Sequence, residues 1–206
     1  LVAADSGFAH QGAKCIILAN EEAVTRVAAR YISASSNMTM GEVRGNKALA
    51  NKRYHPVSEN IQFKDSTGKG MDWVESVVKY ERPDILILDM GDKFADIRSE
   101  RSDITLKAAA IHARNIAKQY DCAVVWMSQL SAEAEGRADL NQAMMEGSKT
   151  GKAAEADLMV LIGKTQQAEG EEDDPIRYLN IAKNKLNGFQ GKITCVLDGS
   201  RSVYSA

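Results

Sequence analysis

Four apolar runs in this chain end in side chains suited to transferring a phosphoryl group to water. Ile85-Leu86-Ile87-Leu88 ends in Asp89, and Ile16-Ile17-Leu18-Ala19 ends in Asn20-Glu21-Glu22. Ala123–Met127 ends in Ser128-Gln129, and Tyr178–Ala182 runs into Lys183 and Lys185. That chemistry needs an acid to hold a divalent metal, a carboxylate to orient the attacking water, a polar sensor and cations facing the phosphate charge. Asp89, Glu21 or Glu22, Gln129 and the pair Lys183 and Lys185 could fill those places. Each also has an ordinary reading. Acids are favoured in the first turn of a helix, a strand-end amide can bond backbone, and lysines two apart share one strand face. Their shared position at the ends of successive runs is what links them.

The elements that must position these residues alternate between strand-like and helical patterns, the signature of a parallel sheet. Residues 1–11 resemble the last turns of a helix stopped at Gly12. A strand at Lys14–Asn20 precedes a helix over Glu21–Ser33, and Met38–Asn60 is polar and irregular, with Gly41, Gly45 and Pro56. A strand at Ile61–Lys64, a helix at Met71–Tyr80 and the Asp89 strand follow. Ser102 and Asp103 can cap a long helix to Tyr120. Strands at Ala123–Met127 and Leu158–Ile162 come next, then an acidic, solvated turn at Glu169–Asp174. The chain closes with a hairpin of Tyr178–Lys183 and Ile193–Leu197 through Asn187-Gly188. A run as dense as Ile85–Leu88 fits a strand covered on both faces, and in such sheets ligands sit beyond the carboxyl ends. The expected fold class is α/β: a mostly parallel sheet flanked by helices, with a C-terminal β-hairpin.

At 206 residues the chain is one ordinary domain. A net charge of −2 leaves no global field for nucleic acid or membrane, so any DNA contact must come from local loops. Cys15, Cys122 and Cys195 are scattered in or beside apolar runs, as buried thiols of a reducing cytosol are, cellular or phage-infected. No run reaches transmembrane length. His10, His55 and His112 share no metal-ligand spacing.

In combination these residues resemble a known family. Ile85–Asp89 looks like the Walker B strand of RecA-like ATPases, and Val124-Val125-Trp126-Met127-Ser128-Gln129-Leu130 resembles the "SQL" strand of DnaB-type replicative helicases. Gly147-Ser148 through Ala156-Asp157-Leu158 is similar to the segment where that family's second DNA loop enters the next strand. Ile16–Glu22 looks like the strand ending in a catalytic glutamate, placed at Glu21. Ala182-Lys183-Asn184-Lys185-Leu186-Asn187-Gly188 resembles the strand with a basic finger for a neighbouring subunit's nucleotide, closest in spacing to phage primase–helicases. The helicase pattern usually has arginine where Lys185 stands, and a lysine offers one point charge in place of a planar fork. Lys-Asn-Lys also occurs in RecA-type recombinases.

The resemblance implies a single RecA-like helicase ATPase domain over 1–206. It would use ATP (or dTTP) with Mg²⁺, which Asp89 holds, and work as a homo-oligomer, a hexameric ring on single-stranded DNA. A primase domain or partner, a cytoplasmic location and no membrane association also follow. The catalytic set is Glu21, Gln129, Lys183 and Lys185. Two loops would line the DNA channel: Gly91–Arg101, with Lys93, Arg98 and Arg101, and Ser131–Lys152, with Arg137, Gly147, Ser148, Lys149 and Lys152. The second holds four acids against three bases, so affinity per subunit should be modest and summed around the ring. Phe94 is their only aromatic. Met144-Met145 reads as a small apolar anchor.

One part of the pattern is missing. A phosphate loop needs Gly-x-x-x-x-Gly-Lys-Ser/Thr between strand and helix. Ser66-Thr67-Gly68-Lys69-Gly70 lacks the first glycine and the final hydroxyl, so no nucleotide-binding residues are assigned within the chain. In the resembled family the loop precedes the helix that ends at Leu1–Gln11. The expectation is therefore a partial domain, with the first strand and the phosphate loop upstream, inactive as it stands. A RecA-type strand-exchange ATPase and a RecA-fold binding module without hydrolysis are the competing classes.

Overall fold

The computed structural model describes residues 7–95, 102–145, 151–167 and 174–205. Cys15–Ala19 (β1), Ile61–Asp65 (β2), Ile85–Asp89 (β3) and Ala123–Trp126 (β4) form a parallel sheet ordered β2-β1-β3-β4. Side chains alternate across a strand. Ile16, Leu18, Leu86 and Leu88 therefore enter one layer, and Cys15, Ile17, Ala19, Ile85 and Ile87 the other. Met71–Glu81 (α4) and Ser102–Tyr120 (α5) close the first layer through Val74, Val78, Leu106 and Ile116. Val24–Ser36 (α1) and Lys47–Ser58 (α3) close the second through Val27, Tyr31 and Val57. Each large aliphatic side chain so enclosed contributes roughly 1.5–3 kcal/mol, which is why β1 and β3 read as unbroken apolar runs.

The chain runs from β1 outward to β2, then back across β1 to β3 and on to β4. The connections leaving β1 and β3 go to opposite faces, α1 on one and α5 on the other. The carboxyl ends of these two neighbours therefore flank the switch point, where open α/β sheets bind ligands.

Residues 7–12 form the expected helical stop. Gly12 has φ +88°, and the Ala13 N–H reaches the Phe8 carbonyl at 3.1 Å, the six-to-one bond of a Schellman ending. Met38–Asn60, expected to be irregular, is helical instead: Met40–Gly45 (α2) followed by α3. The Thr39 hydroxyl accepts from the Glu42 N–H at 3.2 Å while the Glu42 carboxylate accepts from the Thr39 N–H at 2.7 Å, a reciprocal cap. Asn46 Oδ1 accepts from the Leu49 N–H at 3.0 Å and starts α3. Pro56 lies in the last turn of α3, where its missing N–H removes one backbone bond near the helix end.

The expected C-terminal hairpin is the middle of a larger sheet. Leu158–Gly163 (β5), Ile176–Asn184 (β6), Gly191–Asp198 (β7) and Val203–Ser205 (β8) form an antiparallel meander separate from the parallel sheet. Met159, Leu161 and Ala182 on one face pack against Leu130, Leu140, Met144, Met145 and Ala153, so Met144-Met145 is the expected anchor. Cys15, Cys122 and Cys195 are buried free thiols. No helix among the described residues is long and apolar enough to cross a membrane.

Candidate active site

The parallel register places Ala19 opposite Asp89, so Asn20 and Glu21 emerge beside the carboxylate that ends β3. Backbone and side chain tie these ends together. The Asn20 N–H donates to the Asp89 carbonyl at 2.9 Å. The Asn20 side chain accepts from the Met90 N–H at 2.8 Å and donates to the Met90 carbonyl at 3.2 Å. Asp89 is half-buried there. Burial pushes its carboxyl above the ordinary carboxylate range, and the Glu21 charge adds to the rise.

The two glutamates differ in their partners. Glu22 is taken up by the Arg30 guanidinium, which bonds both its oxygens and holds its carboxyl below the ordinary range, and Arg26 stands at 3.9 Å. Glu21 is exposed, and among the described residues it pairs with Lys93 at 3.3 Å. Gln129 follows β4 and is exposed. A polar amide, an exposed carboxylate and a half-buried one thus share this edge of the sheet. Among the described residues no three of His, Cys, Asp and Glu gather as a metal cage. Asp89 fits a divalent ion that draws its remaining ligands from water and phosphate, as Mg²⁺ does.

Ser66–Gly70 has none of the geometry of a phosphate loop. The Thr67 N–H is engaged by Asp65 Oδ1 at 2.9 Å, and the Lys69 ammonium lies over the Trp73 ring at 5.9 Å.

The four-way convergence expected at one edge is reduced to three. Lys183 and Lys185 belong to the second sheet, and both are bound within their own chain. The Lys183 ammonium donates to the carbonyls of Ala153 and Ala154, at the end of the short helix Gly151–Glu155 (α6). Lys185 pairs with Asp157 at 3.6 Å, as does Arg114 at 3.1 Å.

Of the expected DNA-contacting residues, Arg137 is exposed, and Lys93 is half-exposed beside Glu21. Lys152 does not fit the expectation, because its ammonium is buried against Asp92 and Ser128. Arg98, Arg101, Gly147, Ser148 and Lys149 lie outside the described residues, as does most of the Glu169–Asp174 turn. Sequence reasoning missed Asp92 and Trp126. Gly91 packs directly on the Trp126 ring, and the Trp126 N–H donates to Asp92 at 2.9 Å. A Gly-Asp pair just after Asp89 was the available signal.

A parallel sheet with acids at its switch point, helices on both faces and a separate antiparallel sheet is the architecture of the RecA-like fold. Solved structures bear out the fold. The chain superposes on a structure described as an ATPase domain with a TM-score of 0.77 at 14% identity, over 95% of this chain and 75% of that one. It superposes on a DnaB-like replicative helicase, solved in a study of its interactions with primase, with a TM-score of 0.76 at 14% identity. That match covers 95% of this chain and 51% of the other, so the chain spans about half of that helicase. Residues 2–135 match the AAA domain family, and the chain belongs to it. No curated protein matches. The family is one of nucleotide-binding domains.

Proposed function

We propose that this domain is the motor of a DnaB-like replicative helicase, hydrolysing ATP or dTTP between subunits of a ring and moving on single-stranded DNA. The observation that carries this is the Asp89–Glu21 pair, held side by side at the switch point by Asn20. Bound Mg²⁺–nucleotide would supply the electrophilic phosphorus. Asp89 would hold the cation, Glu21 would accept a proton from the water that attacks the terminal phosphorus as the nucleoside diphosphate leaves, and Gln129 would contact the terminal phosphate. Glu21 suits the base better than Glu22, whose oxygens are engaged by Arg30. Lys183 and Lys185 are assigned to the neighbouring subunit's nucleotide, and leave Ala153 and Asp157 to reach it. Lys93, Arg137 and Lys149 remain the cations for DNA, and the likeness to a helicase studied with primase supports a primase domain or partner.

This function also requires a phosphate loop of the form Gly-x-x-x-x-Gly-Lys-Ser/Thr, which no stretch of the 206 residues spells. In a protein carrying that loop, Glu21→Gln abolishes hydrolysis while nucleotide binding persists. Retained turnover refutes the role of Glu21. Lysine at 185 favours one competing reading, a RecA-type strand-exchange protein. Electron microscopy with nucleotide separates the two: closed rings support the helicase, and open filaments reject it.

A further inference from the structure

Lys152 is the only buried lysine or arginine among the described residues, with 4% of its side chain exposed. Its ammonium donates to both oxygens of Asp92, at 2.8 and 3.0 Å, and to Ser128 Oγ at 2.7 Å. Asp92 also accepts from the Ser128 hydroxyl at 2.6 Å and from the Trp126 indole N–H at 2.9 Å. Each carboxylate oxygen therefore has two donors, and the buried charges are matched. A buried pair of this kind contributes little net stability, but it fixes the groups around it, because removing one member strands the other's charge.

This pair joins three places: the turn after Asp89, the end of β4 next to Gln129, and the first turn of α6. The turn is held at a second point as well, since Lys93 pairs with Glu21 at 3.3 Å. Residues 91–94 thus lie between Lys152 and the Glu21 carboxylate.

We propose that Asp92 and Lys152 are positioning residues for the hydrolytic site, acting on Glu21 through the 91–94 turn and on Gln129 through Ser128. This rests on the function proposed above. It also separates Lys152 from the DNA-binding cations: its charge is engaged inside the protein, so its loss alters turnover and leaves DNA affinity intact.

The test uses the full-length protein containing this domain, with oligothymidylate as the single-stranded DNA. Lys152→Met keeps an unbranched side chain and removes the charge. DNA-stimulated kcat falls about 3- to 30-fold, the range of mutational coupling energies, while KM for the nucleotide holds. Oligothymidylate affinity and its salt dependence also hold. Asp92→Asn gives the same loss, and the double variant loses no more than either single one, as residues acting as a unit do. Weaker oligothymidylate binding with a flatter salt dependence in Lys152→Met, or additive losses in the double variant, overturns the proposal. If Lys152→Met fails to fold, the double variant strands no buried charge and carries the test: wild-type kcat there overturns the proposal.

Absence of turnover in the unmutated protein counts against the proposed function alone. The pair is then tested by fluorescence. The chain has two tryptophans, so Trp73→Phe leaves Trp126 as sole reporter of its bond to Asp92. Equal emission shifts from Asp92→Asn and Lys152→Met support the pair, and an unmoved emission in Lys152→Met overturns it.

Discussion

Gly91→Ala probes the packing that sets the turn after Asp89. A Cβ at Gly91 would stand 2.5 Å from two carbons of the Trp126 ring and 2.6 Å from its nitrogen. Ordinary carbon contacts lie near 3.5–4.0 Å, so the indole must withdraw by about 1 Å. It cannot do so alone, because its N–H is bonded to Asp92 at 2.9 Å. Overpacking costs about 1–3 kcal/mol, and the weakened hydrogen bond adds about 1 kcal/mol. The expected loss is about 2–4 kcal/mol, or a fall in Tm of roughly 4–16 °C for a domain of this size. Thermal melts followed by circular dichroism measure it. Trp126→Phe opens room for the new methyl, so the double variant should lose about 1–2 kcal/mol less than the sum of the single losses. A Gly91→Ala melt within about 1 °C of the parent, against that scale, refutes the packing argument, as do additive losses.

Two further perturbations follow from the same edge of the sheet and from the α1–α3 layer. Burial raises the folded-state pKa of Asp89, so stability falls as pH climbs from its ordinary value of 3.8 through the higher folded value. Asp89→Asn should therefore melt above the parent at neutral pH without nucleotide, the difference closing toward pH 3.8 and below. A lower melt at neutral pH would contradict this. Thr39→Ala removes half of the reciprocal cap on α2 and should cost about 1 kcal/mol, seen as a drop of roughly 2–4 °C in Tm, with Thr39→Ser restoring it.

The parallel sheet was legible because its central strands are buried on both faces. Ile16–Leu18 and Ile85–Leu88 leave no polar alternation to misread. The helices α1 and α4 showed in apolar residues recurring at helical spacing, and α5 in the candidate caps Ser102 and Asp103. Helix α3 did not, because only Ala50 and Val57 are buried along it. It is held by the Asn46 cap, and glycines and Pro56 obscured that signal. That Asp89, Glu21 and Gln129 share one edge was legible because strand order alone brings consecutive carboxyl ends together. The relation of Lys183 and Lys185 to that edge depends on a second sheet, and no local pattern reports it. Lys152 misled for the same reason. Beside Gly151 it resembles a loop cation, and only Asp92, distant in sequence, shows that its charge is buried.

The Asn20 clasp has one further consequence. By bonding Met90 on both sides, a neutral amide makes the ends of β1 and β3 a single rigid jig, so the spacing of Glu21 and Asp89 is set by backbone and not by the charges they carry. The loops beyond them can change in length and composition without disturbing that spacing. A domain built this way can exchange what it grips while keeping the same chemical edge.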